Sequence, residues 1–489
     1  MMGRQAGRQQ KLFYSDVNIE ERVPKGHILR KIKKAIDFDF IYKEVGDCYG
    51  TNGNVSVPPP VILKLMLLLI LYNVRSEREL EETLPMRLDW LWFLGFDIDS
   101  RIPDHSVLSK ARARWGVEVF RSLFERAVGQ CVKEGLVNGK KLFVDASLIE
   151  ADASENSVIK SESLKKYLRK GYQKFEKRLG DLEVEKKGKA NKEYISMTDP
   201  DASVTRHSKG RSQLCYKTHR AVDSKAEVIT ATMITPGSED EGKKLEEMIE
   251  RHEHNTGNSV EAAVGDSRYG TKNNYLLCTD RRIKAHLKNL EKGQRGTGRQ
   301  AGIFPKEEFI YDSETDTFIC PTGQRLRKRN YHKSRQHYEY KTGKGVCAQC
   351  YLRAQCTRAK DGRTLKRHIR QDDLDRMLEL AGSPLARQDL KTRQHLSERS
   401  FAQSTRYGYK RARWRSLWRM QIQDYLIAAV QNIQTLVRET ERRAVNAVWV
   451  VIDKPTAAIS RFLSILGEIS LIIFWGKSII DDPELTFAN

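Results

Sequence analysis

The sequence predicts a multidomain α/β chain in which an all-helical N-terminal domain precedes a mixed-sheet core carrying two insertions. Three observations predict it. The 489 residues amount to about three ordinary domains of ~150 residues. Apolar residues supply 39% of them, enough for real cores and too many for wholesale disorder. The apolar pattern also changes near Lys141, from helical spacing to short strands that alternate with helices. Lys and Arg number 86 against 64 Asp and Glu, a formal charge of +22. Such an excess repels itself in a compact fold and points to a polyanionic partner. The longest apolar run, Val61–Tyr72, contains Lys64 and falls short of the ~20 residues that a membrane span needs. The first residues lack the apolar stretch of a signal peptide. A soluble, cytoplasmic chain without a membrane partner is expected.

Residues 16–138 read as the helical domain. Val61, Ile62, Leu65, Met66, Leu69 and Tyr72 would be buried on most sides of one helix, which starts behind Pro58-Pro59-Pro60. Pro103-Asp104-His105-Ser106 opens another, with Ser106 as its expected cap. Residues 139–292 form the first part of the core. Its strands are Leu142–Ile149, a pair at Leu214–Asp223 and Glu227–Ile234, then Ser259–Gly265 and Ile283–Leu287. Helices at Asp240–His252 and around Leu276 separate them. A Lys/Glu-rich stretch, 157–195, reads as a charged helical insertion. Residues 293–372 are a basic, cysteine-containing insertion. Residues 373–443 return to the core, with one long helix or two in succession from Leu396 to about Arg443. Residues 444–489 are an apolar tail of unassigned role.

The acids carry the chemistry. Asp145 lies in the first strand and Asp266 ends the fourth, so the two become neighbours if those strands pair. Adjacent carboxylates repel unless a cation neutralises them. Hard cations such as Mg²⁺ accept such oxygen ligands, and two ions about 4 Å apart suit in-line phosphoryl displacement. Glu398 is the candidate third acid. Between Lys391 and Met420 it stands alone among nine basic residues, including Arg393, Arg399, Arg406, Lys410, Arg411, Arg413 and Arg415. A lone carboxylate in such surroundings suits a metal ligand beside a phosphate-gripping surface. Taken singly, each acid could equally be a turn residue or an ordinary ion-pair partner.

Here the sequence resembles the DDE transposases of bacterial insertion sequences. The matching pieces are Val57-Pro58-Pro59-Pro60, Arg75-Ser76-Glu77-Arg78-Glu79-Leu80 and Pro103-Asp104-His105-Ser106 in the helical region. Val144-Asp145-Ala146-Ser147 follows, then Asp199-Pro200-Asp201-Ala202 and Tyr216-Lys217-Thr218-His219. Gly265-Asp266-Ser267-Arg268-Tyr269-Gly270 and Ser397-Glu398-Arg399-Ser400-Phe401 complete the set. The resemblance implies an RNase H-like catalytic core. It implies that Asp145, Asp266 and Glu398 bind two Mg²⁺ (or Mn²⁺) ions, for cleavage and joining of double-stranded DNA at element ends and target. It also implies a homodimer or larger synaptic assembly and a nucleoid-associated location. Relatives place an Arg four residues before the Glu and a Lys seven after it. This chain has Gln394 and Thr405 there, with Arg393 and Arg406 one position away. A nuclease of the same fold that cuts without joining, and an inactive DNA-binding descendant, are the alternative readings.

Cys320, Cys347, Cys350 and Cys356 include one CxxC pair, a spacing that lets two thiolates reach one tetrahedral Zn²⁺. Four ordinary cysteines in a small domain are the alternative. Cys48, Cys131, Cys215 and Cys278 show no ligand spacing and read as buried thiols. Arg268 and Tyr269 are further candidates for DNA contact, Tyr269 by stacking on a base or else by packing. His105 is expected to make a local hydrogen bond and His219 to be a satisfied sheet histidine.

Overall fold

A computed structural model describes residues 1–4, 18–160, 191, 194–206, 212–289 and 302–453. Most of the charged insertion, the Gly/Arg-rich stretch around 294–301 and the tail beyond Asp453 lie outside the described residues. The chain divides into two compact units, Met1–Thr435 and Leu436–Asn489; the first contains the sheets and the candidate site.

Its N-terminal layer is helical, with α1 (Ile28–Ala35), α2 (Pro59–Leu71), α3 (Glu77–Thr83), α4 (Leu88–Leu94), α5 (Ser106–Trp115) and α6 (Glu118–Lys133). Pro59 and Pro60 occupy the first turn of α2, where their missing N–H groups cost nothing. Every residue from Pro59 to Ile70 is buried, Lys64 included, which is why α2 is apolar all round. In α5 the cap differs from expectation. Ser106 is already helical, and its N–H bonds to the Asp104 carboxylate at 2.8 Å. The more acidic acceptor, two residues back, takes the orphan amide.

The core sheet contains β1 (Lys141–Glu150), β4 (Ser203–Arg206), β5 (Ser212–Val222), β6 (Ile229–Pro236), β7 (Ala262–Gly265) and β8 (Lys284–Leu287). β2 (Val158–Lys160) and β3 (Tyr194–Ser196) pair separately. The sheet order is β4-β5-β1-β7-β8, with β6 also on β5. β1 is antiparallel to β5 and parallel to β7, and β7 is parallel to β8. The predicted alternation therefore stands: strand, hairpin, helix, strand, helix, strand. Helices α7 (Leu245–Thr256) and α8 (Lys272–Asp280) are the crossovers.

One apolar core runs from the N-terminal helices through Phe143, Ile149, Tyr216, Val222 and Val264 of the sheet to Ile433. A second core, with Leu142, Val144, Ala263, Met248 and Tyr275, lies on the opposite face of the sheet. Neighbouring residues of β1 thus enter different cores, as a strand buried on both faces requires. Past a small antiparallel sheet, β9 (Ile310–Asp312), β10 (Thr317–Ile319), β11 (Arg325–His332), β12 (His337–Lys341) and β13 (Thr364–His368), come three helices. These are α9 (Gln371–Ala381), α10 (Pro384–Thr405) and α11 (Leu417–Asp453). The predicted long helix is therefore two, broken between Thr405 and Leu417 at a stretch containing Gly408 and Ser416, both with positive φ.

Candidate active site

β1 and β7 run parallel with Lys141 opposite Ala262, Leu142 opposite Ala263 and Phe143 opposite Val264. Continued by two residues, that register sets Asp145 level with Asp266, just past the end of β7. The Asp145 carboxylate accepts from the Ala146 N–H at 2.9 Å, and the Asp266 carboxylate accepts from the Arg268 N–H at 2.9 Å. Burial pushes the Asp145 carboxyl above its usual range, and the Asp266 charge pushes the same way; Arg393 and Ser397 pull it back.

Both opposing groups come from α10, which lies across the sheet. Asp389, Arg393, Ser397, Ser400 and Ser404 recur every three or four residues and so share one face of the helix. Asp389 takes Lys141 at 2.9 Å and His286 at 2.7 Å. Arg393 pairs with Asp145 at 2.7 Å, and Ser400 and Ser404 accept from Arg220 at 3.1 and 2.7 Å. Glu398 follows Ser397 by one residue, about 100° further round the helix. It is exposed and accepts from Gln394 at 2.9 Å. The fold therefore brings together Asp145, Asp266, Arg393 and Ser397, and leaves the Glu398 carboxylate on the open side of the same helix.

One neighbour escaped the sequence reading. Glu241 is largely buried and pairs with Lys217 at 3.0 Å. Its charge, with those of Asp145 and Asp266, reinforces the effect of burial in raising the Tyr269 hydroxyl well above its usual range. In Glu239-Asp240-Glu241 it looks like an ordinary acid before a helix; the available signal was three consecutive acids in so basic a chain. Tyr269 itself is fully buried and packs in the second core. Its ring has no face to offer a base, which corrects the DNA-stacking expectation. His105 bonds Glu81 at 2.8 Å, a local role as expected, whereas the buried His219 is only half satisfied: its Nε2 bonds Thr235 at 2.9 Å and its Nδ1 has no hydrogen-bond partner among the described residues.

The basic candidates separate by environment. Arg268, Arg406 and Lys410 are exposed. Arg399 pairs with Glu227 at 2.7 Å, and Arg411 and Arg415 each reach Asp152 at 3.2 Å; all three remain more than half exposed. Arg413 is different: its guanidinium bonds the Val74 carbonyl and the Asn73 side chain. It ties the Arg406–Ser416 stretch to the turn after α2. Cys131, Cys215 and Cys278 are buried as expected, whereas Cys48 is exposed because it lies in the short turn Gly46–Cys48 rather than on a packed face.

The four cysteines of the small sheet line one cavity of about 30 Å³. The Gln324 N–H donates to the Cys320 sulfur at 3.3 Å, and the Thr342 hydroxyl lies 3.1 Å from the Cys347 sulfur. Gly362 has φ +91°, and a Cβ there would come within 2.8 Å of that sulfur, so only glycine fits both the backbone and the space.

A family model described as Transposase domain (DUF772) matches residues 17–114, and one described as Transposase DDE domain matches residues 319–437. The chain belongs to the DDE transposases of insertion sequences. The second match runs from the cysteine-bearing sheet through Glu398, and no curated protein matches the chain. In this transposase the stretch between the matches carries Asp145 and Asp266. Among the described residues no helix is long and apolar enough to cross a membrane.

Proposed function

We propose that this transposase cuts DNA at the ends of its element and joins the freed 3′-hydroxyl to a target. In this reading Asp145, Asp266 and Glu398 hold Mg²⁺ or Mn²⁺ in an RNase H-like core. The observation that carries it is the level placement of Asp145 and Asp266 on adjacent parallel strands, beneath the helix that bears Glu398. Their donor set is all oxygen, which fits a hard divalent cation. Bound there, two such ions supply stabilisation of the attacking and leaving oxygens of an in-line displacement. The residues do the rest. Arg393 and Ser397 fix the Asp145 carboxylate, Arg393 supplying positive charge beside it. Glu398, which accepts a hydrogen bond from Gln394 on its own helix, closes on the same site when DNA is bound. The exposed cations Arg268, Arg399, Arg406, Lys410, Arg411 and Arg415 grip phosphates, and Arg393 does so once a metal has taken over its carboxylate. Two element ends are held by a homodimer or larger assembly acting at the nucleoid. Cys320, Cys347, Cys350 and Cys356 hold a structural Zn²⁺, supported by their shared cavity and the N–H donated to a sulfur.

The test is a strand-cleavage and joining assay on DNA carrying the element's ends, with Mg²⁺. Asp145→Ala, Asp266→Ala and Glu398→Gln should each lower both steps by at least about 10³-fold while DNA binding persists. Cleavage without joining by the wild type would favour a simple nuclease. Full activity in Glu398→Gln would remove Glu398 from the site and turn attention to Glu241.

A further inference from the structure

The small sheet carries a second cluster of ligand-type side chains, on the β11–β12 hairpin. His332 and His337 face each other across the strands, their rings stacked with centroids 4.9 Å apart and planes 22° from parallel. Glu339 lies two residues after His337, hence on the same face, and its Oε1 is 3.3 Å from the His332 Nε2. One ligand atom from each of the three residues lies within 4.8 Å of the other two.

His337 is the decisive member. It is 7% exposed, and its Nε2 has no hydrogen-bond partner among the described residues. A buried ring nitrogen left without a partner is costly unless something occupies it. The ring also hydrogen-bonds the Arg335 backbone carbonyl, which leaves Nε2 as the lone-pair nitrogen. A ligating histidine is held this way, one nitrogen donating to a carbonyl and the other free for the metal. Stacked imidazolium rings would repel, so the arrangement suits two neutral rings. Lys341, 3.4 Å from the Glu339 Oε2, is partly exposed and can turn to solvent at little cost.

We propose that His332, His337 and Glu339 form a binding site for a divalent transition-metal ion, Zn²⁺ by the chemistry of the donors. Two imidazoles and one carboxylate favour zinc over magnesium, and three protein ligands leave the fourth position to water. The site lies at the end of the hairpin next to the turn Lys333–Arg335. Its strand β11 presents the largely exposed Arg325, Arg327, Lys328 and Arg329. An ion joining β11 to β12 there clips the two strands together at the tip of a basic arm. This site is separate from the cysteine cavity, and neither assignment depends on the other.

The test is metal content and Co²⁺ absorption of the full chain, in the wild type, His332→Ala, His337→Ala and Glu339→Gln. After saturation with Zn²⁺ and dialysis, each variant should retain one equivalent fewer than the wild type. With Co²⁺, the variants should lose a d–d signal that has no sulfur charge transfer, while the near-ultraviolet thiolate band of the cysteine group stays. Unchanged metal content and spectra in His332→Ala and Glu339→Gln would overturn the proposal. His332 is exposed on the hairpin and Glu339→Gln keeps the size of the side chain, so the result does not hinge on whether His337→Ala folds.

Discussion

The two sheets of this transposase solve opposite problems. The core sheet is buried on both faces and can hold charges that would unfold a lesser protein. Lys64, Arg112, Arg220 and Asp424 are all buried within it or its helical layer, and Asp145 and Asp266 stand side by side on its interior strand β1 and just past the end of β7. The small sheet has a core of only Phe309, Phe318, Leu326, Tyr340 and Leu365, and seven of the eight β11 residues are exposed. A core that small supplies little stability alone and ordinarily needs covalent or metal staples. The large sheet uses packing to hold charge; the small sheet has little packing, and in the two zinc sites proposed above ligand side chains take its place.

Metal removal should break this contrast most visibly. If the four cysteines hold Zn²⁺, a zinc chelator or Cys347→Ser should abolish the protection of residues 302–370, since metal-binding energy in such small units is folding energy of about 10 kcal/mol. Hydrogen exchange should show fast exchange there, with β1, β5 and β7 unchanged. Equal loss of protection in both sheets would mean that they fold as one.

The same contrast explains what was legible in the sequence. The order of strands around Asp145 and Asp266 could be read because buried strands appear as short apolar runs with an acid at the end. The pairing of Arg393 with Asp145 could not, since it depends on which face of α10 meets the sheet. Arg393 and Glu398 look alike as members of a basic helix, yet five residues of helical rotation place one at the carboxylate and the other in the open. The Arg406–Ser416 break was hidden because its anchor, Arg413, looks like one more DNA-binding cation. In the small sheet the CxxC spacing was visible, but His332, His337 and Glu339 come together only through the hairpin register.

The middle-sized effect concerns Arg220, paired across β5 with Asp145. It is 1% exposed and donates to Ser400, Ser404 and Gln431 at 3.1, 2.7 and 3.1 Å. Asp424 lies 3.7 Å from its guanidinium and accepts from Thr218 and Thr232 at 3.3 and 2.6 Å. Arg220→Ala should destabilise the core by about 3–5 kcal/mol, because Asp424 is left buried without its counter-charge. Urea unfolding of that variant, beside Arg220→Met with Asp424→Leu, separates charge from packing. Recovery of most of the loss in the double variant would show that the network serves position more than stability. No recovery would mean that its hydrogen bonds are themselves required.

Lys64 gives the smallest effect and the sharpest sign. Burial in α2 lowers its ammonium to about 8 from 10.5, against which the faces of Phe38 and Phe93, 5.3 and 5.7 Å away, offer weak compensation. A lysine with a lowered folded value binds its proton less tightly than the unfolded chain does. Its penalty is fully present below pH ~8 and is relieved as pH rises towards 10.5. Wild-type stability should therefore carry a component that increases across that window. Lys64→Met should remove the component and stabilise the chain by about 2 kcal/mol at pH 7, measured by urea unfolding at several pH values. A destabilised Lys64→Met with the same pH slope would mean that another group titrates there, and that the large core gains from its buried charge instead of merely enduring it.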